Sequence, residues 1–135
     1  MAEWEKRIDC INLIVGDIER SKTFYQAVFG LPPLHEEDEF AVFRFKNTHV
    51  EVRRDPAHED RPSVEALRWA EKGAGQFGIF VDDVKAVSTE LEEQGVNVIS
   101  GPADRDWGMR TITVADPAGY IWEIAQDTPS TPSAS

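Results

Sequence analysis

The sequence predicts an α+β domain of two βαβββ repeats, whose strands form an open, concave cleft of mixed sheet. Two observations predict this fold. A strand-like segment followed by a helix-like segment occurs near the start of the chain and again in its second half, with the same offset between strand and helix. Each pair is then followed by short alternating segments that are typical of strands. The recurrence of one order of elements indicates an internal duplication.

The first repeat is expected at about residues 8–54. Its first strand lies in IDCINLIVGD, and the helix after it is predicted over 17–30 from apolar residues at helical spacing. Asp17 is the expected N-cap, because its carboxylate can accept from unpaired N–H groups of the first turn, and Gly30 is the expected stop. Further strands of this repeat are predicted at 40–45 and 49–52.

The second repeat is expected at about residues 75–126, after a connector at 55–74 with one helical turn around 64–69. Asp83 and Gly95 are the N-cap and the stop of its helix. Its strands are predicted at 76–83, 109–114 and 120–125. The last residues, 128–135, are rich in Ser, Pro and Thr and are expected to be a disordered tail, which leaves a single domain at 1–127.

The composition excludes several classes of function. No apolar segment approaches the roughly 20 residues of a membrane span, and the N-terminus lacks the apolar core of a secretory signal. A single cysteine fits a reducing, cytoplasmic location. The net charge of −11 repels phosphate backbones and argues against nucleic acid as a partner.

Strand alternation predicts one polar sheet face that collects chemically active side chains. The apolar residues of the strands must face the helices, so the opposite face carries four polar residues, Cys10, Glu51, Gln76 and Glu123. Two carboxylates in one cleft require a shared cation or proton, or basic neighbours. The basic alternative is a salt bridge to Arg53, Arg44 or Arg110. His49 faces the same side, as a predicted groove-wall or dimer residue.

Two segments, VGDIERSKTFYQAVFGL and WGMRTITVADPAGYIWEI, resemble signatures of the glyoxalase/bleomycin-resistance/extradiol-dioxygenase superfamily. The resemblance covers about residues 8–126. In metal-dependent members, four strand positions ligate a divalent metal, and these fall on Cys10, Glu51, Gln76 and Glu123 in this chain. Cys10 departs from the usual His or Gln, because a thiol prefers softer metals. The expectation is therefore either no cofactor or one divalent metal ion.

The antibiotic-binding branch of that superfamily has lost the metal and uses the groove as an apolar slot between two subunits, which implies a homodimer. Flat rings suit such a slot, because aromatic side chains bury much area at low entropic cost. The residues expected to contact a ligand are Phe43, Phe45, Trp69, Phe80, Trp107 and Arg110.

Two functions follow from the resemblance. The first is a small-molecule binding protein of the bleomycin-resistance type, which sequesters an apolar or aromatic metabolite or antibiotic without chemistry. The alternative is a metal-dependent lyase, isomerase or dioxygenase, in which Glu123 or Glu51 is the catalytic base. A scaffold or partner domain without a ligand is a third, which the polar cleft disfavours.

Overall fold

A computed structural model describes residues 2–127, so the predicted tail at 128–135 lies outside the described residues. The described part divides into two compact units between Asp60 and Arg61. The prediction of a single domain at 1–127 stays a prediction. The elements in chain order are β1 (Cys10–Val15), α1 (Ile18–Phe29), β2 (His35–Glu37), β3 (Phe40–Arg44), β4 (His49–Arg54), α2 (Val64–Glu71), β5 (Phe77–Phe80), α3 (Val84–Glu93), β6 (Val98–Asp104), β7 (Met109–Ala115) and β8 (Ile121–Asp127).

Each unit contains one four-stranded mixed sheet. The strand order is β1-β4-β3-β2 in the first unit and β5-β8-β7-β6 in the second. The first strand of each repeat pairs in parallel with the last, and all other pairs are antiparallel. Equivalent strands therefore occupy equivalent places in the two sheets. This confirms the α+β fold class and its two βαβββ repeats.

The predicted helix caps are also confirmed. The Asp17 side chain accepts a hydrogen bond from the backbone N–H of Arg20, and the Asp83 side chain accepts one from Ala86, both at 3.1 Å. Gly30 ends α1 with a left-handed φ of 66°, a conformation that a side chain would strain. Capping signals in the sequence thus set both helix starts.

Three elements differ from the sequence prediction. The sequence predicted no strand at β2, and all three of its residues are exposed. Strand β6 was not predicted, since its alternation is interrupted by register shifts. Helix α2 has two turns rather than one, and Ser63 caps it by accepting from the N–H of Ala66 at 2.9 Å.

The core of the first unit lies between α1 and the sheet. Tyr25 of α1 and Phe43 of β3 are both fully buried, and their ring centroids lie 5.6 Å apart. Val50 and Val52 of β4 are buried on the same side. Phe43 therefore lies in the core, because it shares the helix-covered face with the buried valines. Its expected contact with a ligand stays a prediction, which this burial does not favour.

The sheet of the second unit is covered on both faces. Helix α3 buries Val84 and Leu91 against one face. Helix α2 lies on the opposite face, where Ala70 forms a buried cluster with Ala115 and Ile121. The buried hydroxyl of Thr113 donates to the carbonyl of Ala70 at 3.0 Å and ties this helix to the sheet.

No helix in residues 2–127 is both long and apolar enough to span a membrane.

Candidate functional site

The first unit presents the predicted polar face on β1 and β4. Asn12 pairs with Glu51, and Cys10 pairs with His49, so these four residues share one side of the sheet. Leu13 of β1 is buried on the other side, as alternation predicts. The Cys10 thiol is exposed and lies 3.7 Å from the side-chain oxygen of Asn12.

Glu51 is matched by a basic neighbour on its own strand. Its side chain is only 15% exposed and forms a salt bridge with Arg53, which lies two residues along on the same face. The Arg53 guanidinium in turn lies over the ring of Phe40, 4.6 Å from its centroid. Of the alternatives that the sequence left open, a salt bridge to Arg53 is the one that the structure contains.

The second unit presents the corresponding face on β5 and β8. The side-chain oxygen of Gln76 accepts a hydrogen bond from the N–H of Ile121 at 2.8 Å, and the Gln76 N–H donates to the Ile121 carbonyl at the same distance. Gln76 therefore tethers the starts of the two strands. Two residues further along each strand, Gly78 is the register partner of Glu123.

Glu123 is partly buried on this face. Burial raises the pKa of its carboxyl group, and the positive charge of Arg105 lowers that pKa to a smaller extent. Arg105 is fixed in place, because its guanidinium donates to the hydroxyl of Thr111 at 2.9 Å and to that of Ser100 at 3.0 Å. Glu123 therefore accepts a proton more readily than an exposed glutamate.

We expected Arg110 to contact a ligand, but the arginine near Glu123 is Arg105. Arg110 forms a salt bridge with Asp104 at 2.7 Å, on the face that carries buried Ile112. That hydrogen bond raises the pKa of the Arg110 guanidinium and lowers the pKa of the Asp104 carboxyl. Arg110 is thus on the opposite side of β7 from Thr111. Thr111 pairs with Ala103 across the β6–β7 turn, and Arg105 lies two residues after Ala103. Strand alternation therefore places Arg105 on the same side of the sheet as Thr111 and could have identified it as a site residue.

The remaining predicted aromatic residues lie in different places. Phe45 packs against Phe29 of α1, with 5.1 Å between ring centroids, on the same side as Phe43. Phe80 is 82% exposed at the end of β5, and Trp107 is 59% exposed in the turn between β6 and β7. Trp69, predicted at the end of a helical turn in the connector, lies on α2 and is 52% exposed.

A cavity of about 330 Å³ lies in the second unit beside α2 and the starts of β5 and β8. It brings together two predicted site residues, Trp69 and Gln76. Its lining consists of Ser63, Glu65, Ala66, Trp69, Ala74, Gly75, Gln76 and Ile121. The sequence prediction missed Glu65 and Ala66 of α2, because most of this segment was expected to be connector.

Three of the four predicted metal ligands do not suit a hard divalent cation in their observed surroundings. The charge of Glu51 is matched by Arg53, and the Gln76 oxygen accepts from a backbone N–H. Cys10 supplies a soft thiol. Over residues 2–127, no group of three or more His, Cys, Asp or Glu side chains is placed to hold a metal ion.

Comparison with known proteins gives consistent matches to one family. The family model of the Glyoxalase/Bleomycin resistance protein/Dioxygenase superfamily matches residues 7–124. Uncharacterized protein YraH of Bacillus subtilis (strain 168) is 34% identical over 119 residues, which cover 84% of this chain and 93% of that protein.

Solved structures share the fold at lower identity. A lactoylglutathione lyase from Agrobacterium tumefaciens is 21% identical with a TM-score of 0.68, over 92% of this chain and 96% of that chain. The fosfomycin resistance protein FosX from Listeria monocytogenes is 16% identical with a TM-score of 0.68, over 96% of this chain and 98% of that chain. At these identities the likeness concerns the fold alone.

Proposed function

This chain belongs to the glyoxalase/bleomycin resistance protein/dioxygenase superfamily, and we propose from that premise that it binds and sequesters a small apolar or aromatic molecule. The observation that carries this proposal is the cavity beside Trp69. Its volume of about 330 Å³ is at the lower end of the range of small-molecule sites, roughly 300–1,000 Å³. A ligand of one or two rings fits such a space.

The lining of this cavity favours a flat molecule with a polar edge. Trp69 offers a half-exposed ring, and Ala66 and Ile121 add apolar surface. Gln76 uses its side-chain oxygen on Ile121, which leaves its amide N–H groups as donors to a ligand. Glu65 at the cavity and the net charge of −11 favour a neutral or cationic ligand over an anion.

The surroundings of the four candidate metal ligands favour sequestration over metal-dependent catalysis. Three of the four are engaged by other groups or unsuited to a hard cation, as described above for Glu51, Gln76 and Cys10. The structural neighbours include one protein named as a lyase and one named as a fosfomycin resistance protein.

One observation favours catalysis as the second candidate function. Burial raises the pKa of Glu123, and a carboxylate with a raised pKa is a better general base near neutral pH. In this alternative, Glu123 removes a proton from a bound substrate. Turnover of a superfamily substrate that disappears in Glu123→Gln would support it.

Tryptophan fluorescence tests the leading proposal. A panel of neutral and cationic aromatic compounds, including quinones and glycopeptide-type antibiotics, is titrated into the protein. Four single Trp→Phe variants separate the signals of Trp4, Trp69, Trp107 and Trp122. We expect quenching by at least one compound, lost in Trp69→Phe and retained in Trp122→Phe, because Trp122 is buried against Phe77 at 5.0 Å.

The proposal fails if no compound in the panel quenches the wild-type protein. It also fails at this cavity if quenching persists in Trp69→Phe and disappears only in Trp107→Phe, since Trp107 does not line the cavity.

A further inference from the structure

The second unit has a glycine at a position where its fold does not require one. Gly78 lies in β5, and its φ is outside the left-handed region that favours glycine. A Cβ added at Gly78 would meet only the carbonyl oxygen and one carboxylate oxygen of Glu123, both at 4.0 Å, which is ordinary van der Waals contact. Glycine weakens a strand because its backbone loses more entropy on folding than that of any other residue.

The first unit has side chains at the equivalent positions. There, Asn12 is the register partner of Glu51, and Arg53 follows Glu51 on the same face. In the second unit, Gly78 is the partner of Glu123, and Ala125 follows it. The guanidinium that neutralises Glu51 therefore has no counterpart on β8.

The Glu123 carboxylate consequently lies open to a ligand from the side of β5. Across residues 2–127, no Lys, Arg or His side chain forms a salt bridge with it. Arg105, the nearby positive charge, is directed to the hydroxyls of Thr111 and Ser100. The side chains by which α2 packs on this sheet, Ala66 and Ala70, carry no charge.

An exposed aromatic ring lies at the next position of the same face. Phe80 is two residues beyond Gly78, pairs with Ala125 and is 82% exposed. An aromatic face attracts a cation within about 6 Å of the ring, and such contacts add to the attraction of a carboxylate. The open space and the ring thus follow one another along the edge strand β5, beside the Glu123 carboxylate of the neighbouring strand β8.

We propose that Gly78, Glu123 and Phe80 form a subsite for the ammonium group of a flat apolar ligand. Glu123 binds the ammonium group, the space above Gly78 admits it, and the ring of Phe80 contacts the adjoining carbon skeleton. The subsite rests on the proposed function, because it specifies the chemical class of the ligand that the chain sequesters. The negative net charge adds a general attraction for such a cation.

Two small probes with the same ring test the charge requirement. The full chain labelled with ¹⁵N is titrated with 2-phenylethylamine and, separately, with phenylacetate. We expect the amine to shift the backbone amide signals of Gly78 and Glu123 in a saturable manner at millimolar concentration, and phenylacetate to bind at least about tenfold more weakly. Equal binding of the two probes, or no shift at Gly78, overturns the subsite.

A second pair of variants tests the space. Gly78→Val should weaken binding of 2-phenylethylamine by about tenfold or more, while its melting temperature stays the same or rises, because valine is favoured in strands. Asn12→Val places the same side chain at the equivalent position of the first unit and should leave binding unchanged. Gly78→Ala, which adds only a methyl group, provides a milder replacement if Gly78→Val does not fold.

Undiminished binding in both Gly78 variants, or an equal loss in Asn12→Val, refutes the assignment. Failure of this inference is distinguishable from failure of the proposed function. Quenching of Trp69 by a ligand in the cavity does not require Gly78, so a ligand that quenches wild type and Gly78→Val alike supports sequestration and rejects the subsite.

Discussion

Replacing Trp69 with alanine should weaken ligand binding by an amount that the structure allows us to estimate. A tryptophan side chain offers up to about 250 Å², and Trp69 is 52% exposed, which leaves about 130 Å² for contact with a ligand. The ammonium of Lys72 lies 5.3 Å from the ring centroid and occupies one face. A flat ligand on the other face would therefore cover about half of the exposed area, or about 65 Å².

The two contributions to this contact give the expected loss. Burial of about 65 Å² at about 25 cal/mol per Å² is worth about 1.6 kcal/mol. Stacking of two aromatic rings adds about 1 kcal/mol. The sum, about 2.6 kcal/mol, corresponds to a loss of about 70-fold in affinity for Trp69→Ala. Trp69→Phe should lose less, because a smaller ring remains.

Isothermal titration calorimetry with the compound that quenches most strongly measures this effect. Trp107→Ala is the matched control, because it removes an equally exposed tryptophan that does not line the cavity. Its affinity should stay within about twofold of wild type. Wild-type affinity in Trp69→Ala, or an equal loss of affinity in the two alanine variants, would show that the ligand does not stack on Trp69.

Four further predictions concern metal, pH, helix docking and assembly. Elemental analysis of protein purified without chelator should find metal at background in wild type, in Glu51→Ala and in Cys10→His. A stoichiometric metal that is lost in Glu51→Ala would contradict sequestration. Glu123→Gln should stabilise the fold at neutral pH but not in acid, as measured by urea unfolding. Burial raises the pKa of Glu123, so the stability that its protonated form provides is complete below the ordinary value of 4.5 and is lost as pH rises through the raised pKa. Thr113→Val removes the hydrogen bond to Ala70, and should cost about 1 kcal/mol and speed amide exchange in α2 but not in α1. Sedimentation velocity should find a homodimer at tens of micromolar, and a monomer at that concentration would reject the assembly that the resemblance implies.

Local signals in the sequence determined the repeats and the orientation of their strands. Asp17 and Asp83 cap their helices as predicted, because an N-cap depends only on a side chain and the N–H groups two or three residues later. Alternation placed Glu51 and Glu123 on the faces where they lie, since successive side chains of a strand point to opposite sides. The motifs also identified the superfamily, which the family model confirms.

Only the tertiary structure decided which charges meet and which aromatic rings are covered. The fold places Arg105 rather than Arg110 near Glu123. It also pairs Glu51 with Arg53 of its own strand rather than with Arg44 or Arg110. Alternation alone gives the side of the sheet on which Arg105 lies, but not its proximity to Glu123, because β6 is irregular and its shifts change the residues that oppose β7. Phe43 is buried for a similar reason, since its pairing with Val50 fixes its side of the sheet.

The cavity was beyond prediction because it depends on how a short helix docks. Helix α2 contacts the sheet mainly through alanines, and Ala70 is the buried residue among them. In the sequence, so small an apolar face looks like a polar connector. A helix of eight residues also depends on packing rather than on helix propensity for its stability, so propensity does not reveal it. Once docked, α2 brings Trp69 close to Gln76 and forms the cavity. The sequence pointed to both residues, but it gave no reason for them to lie together.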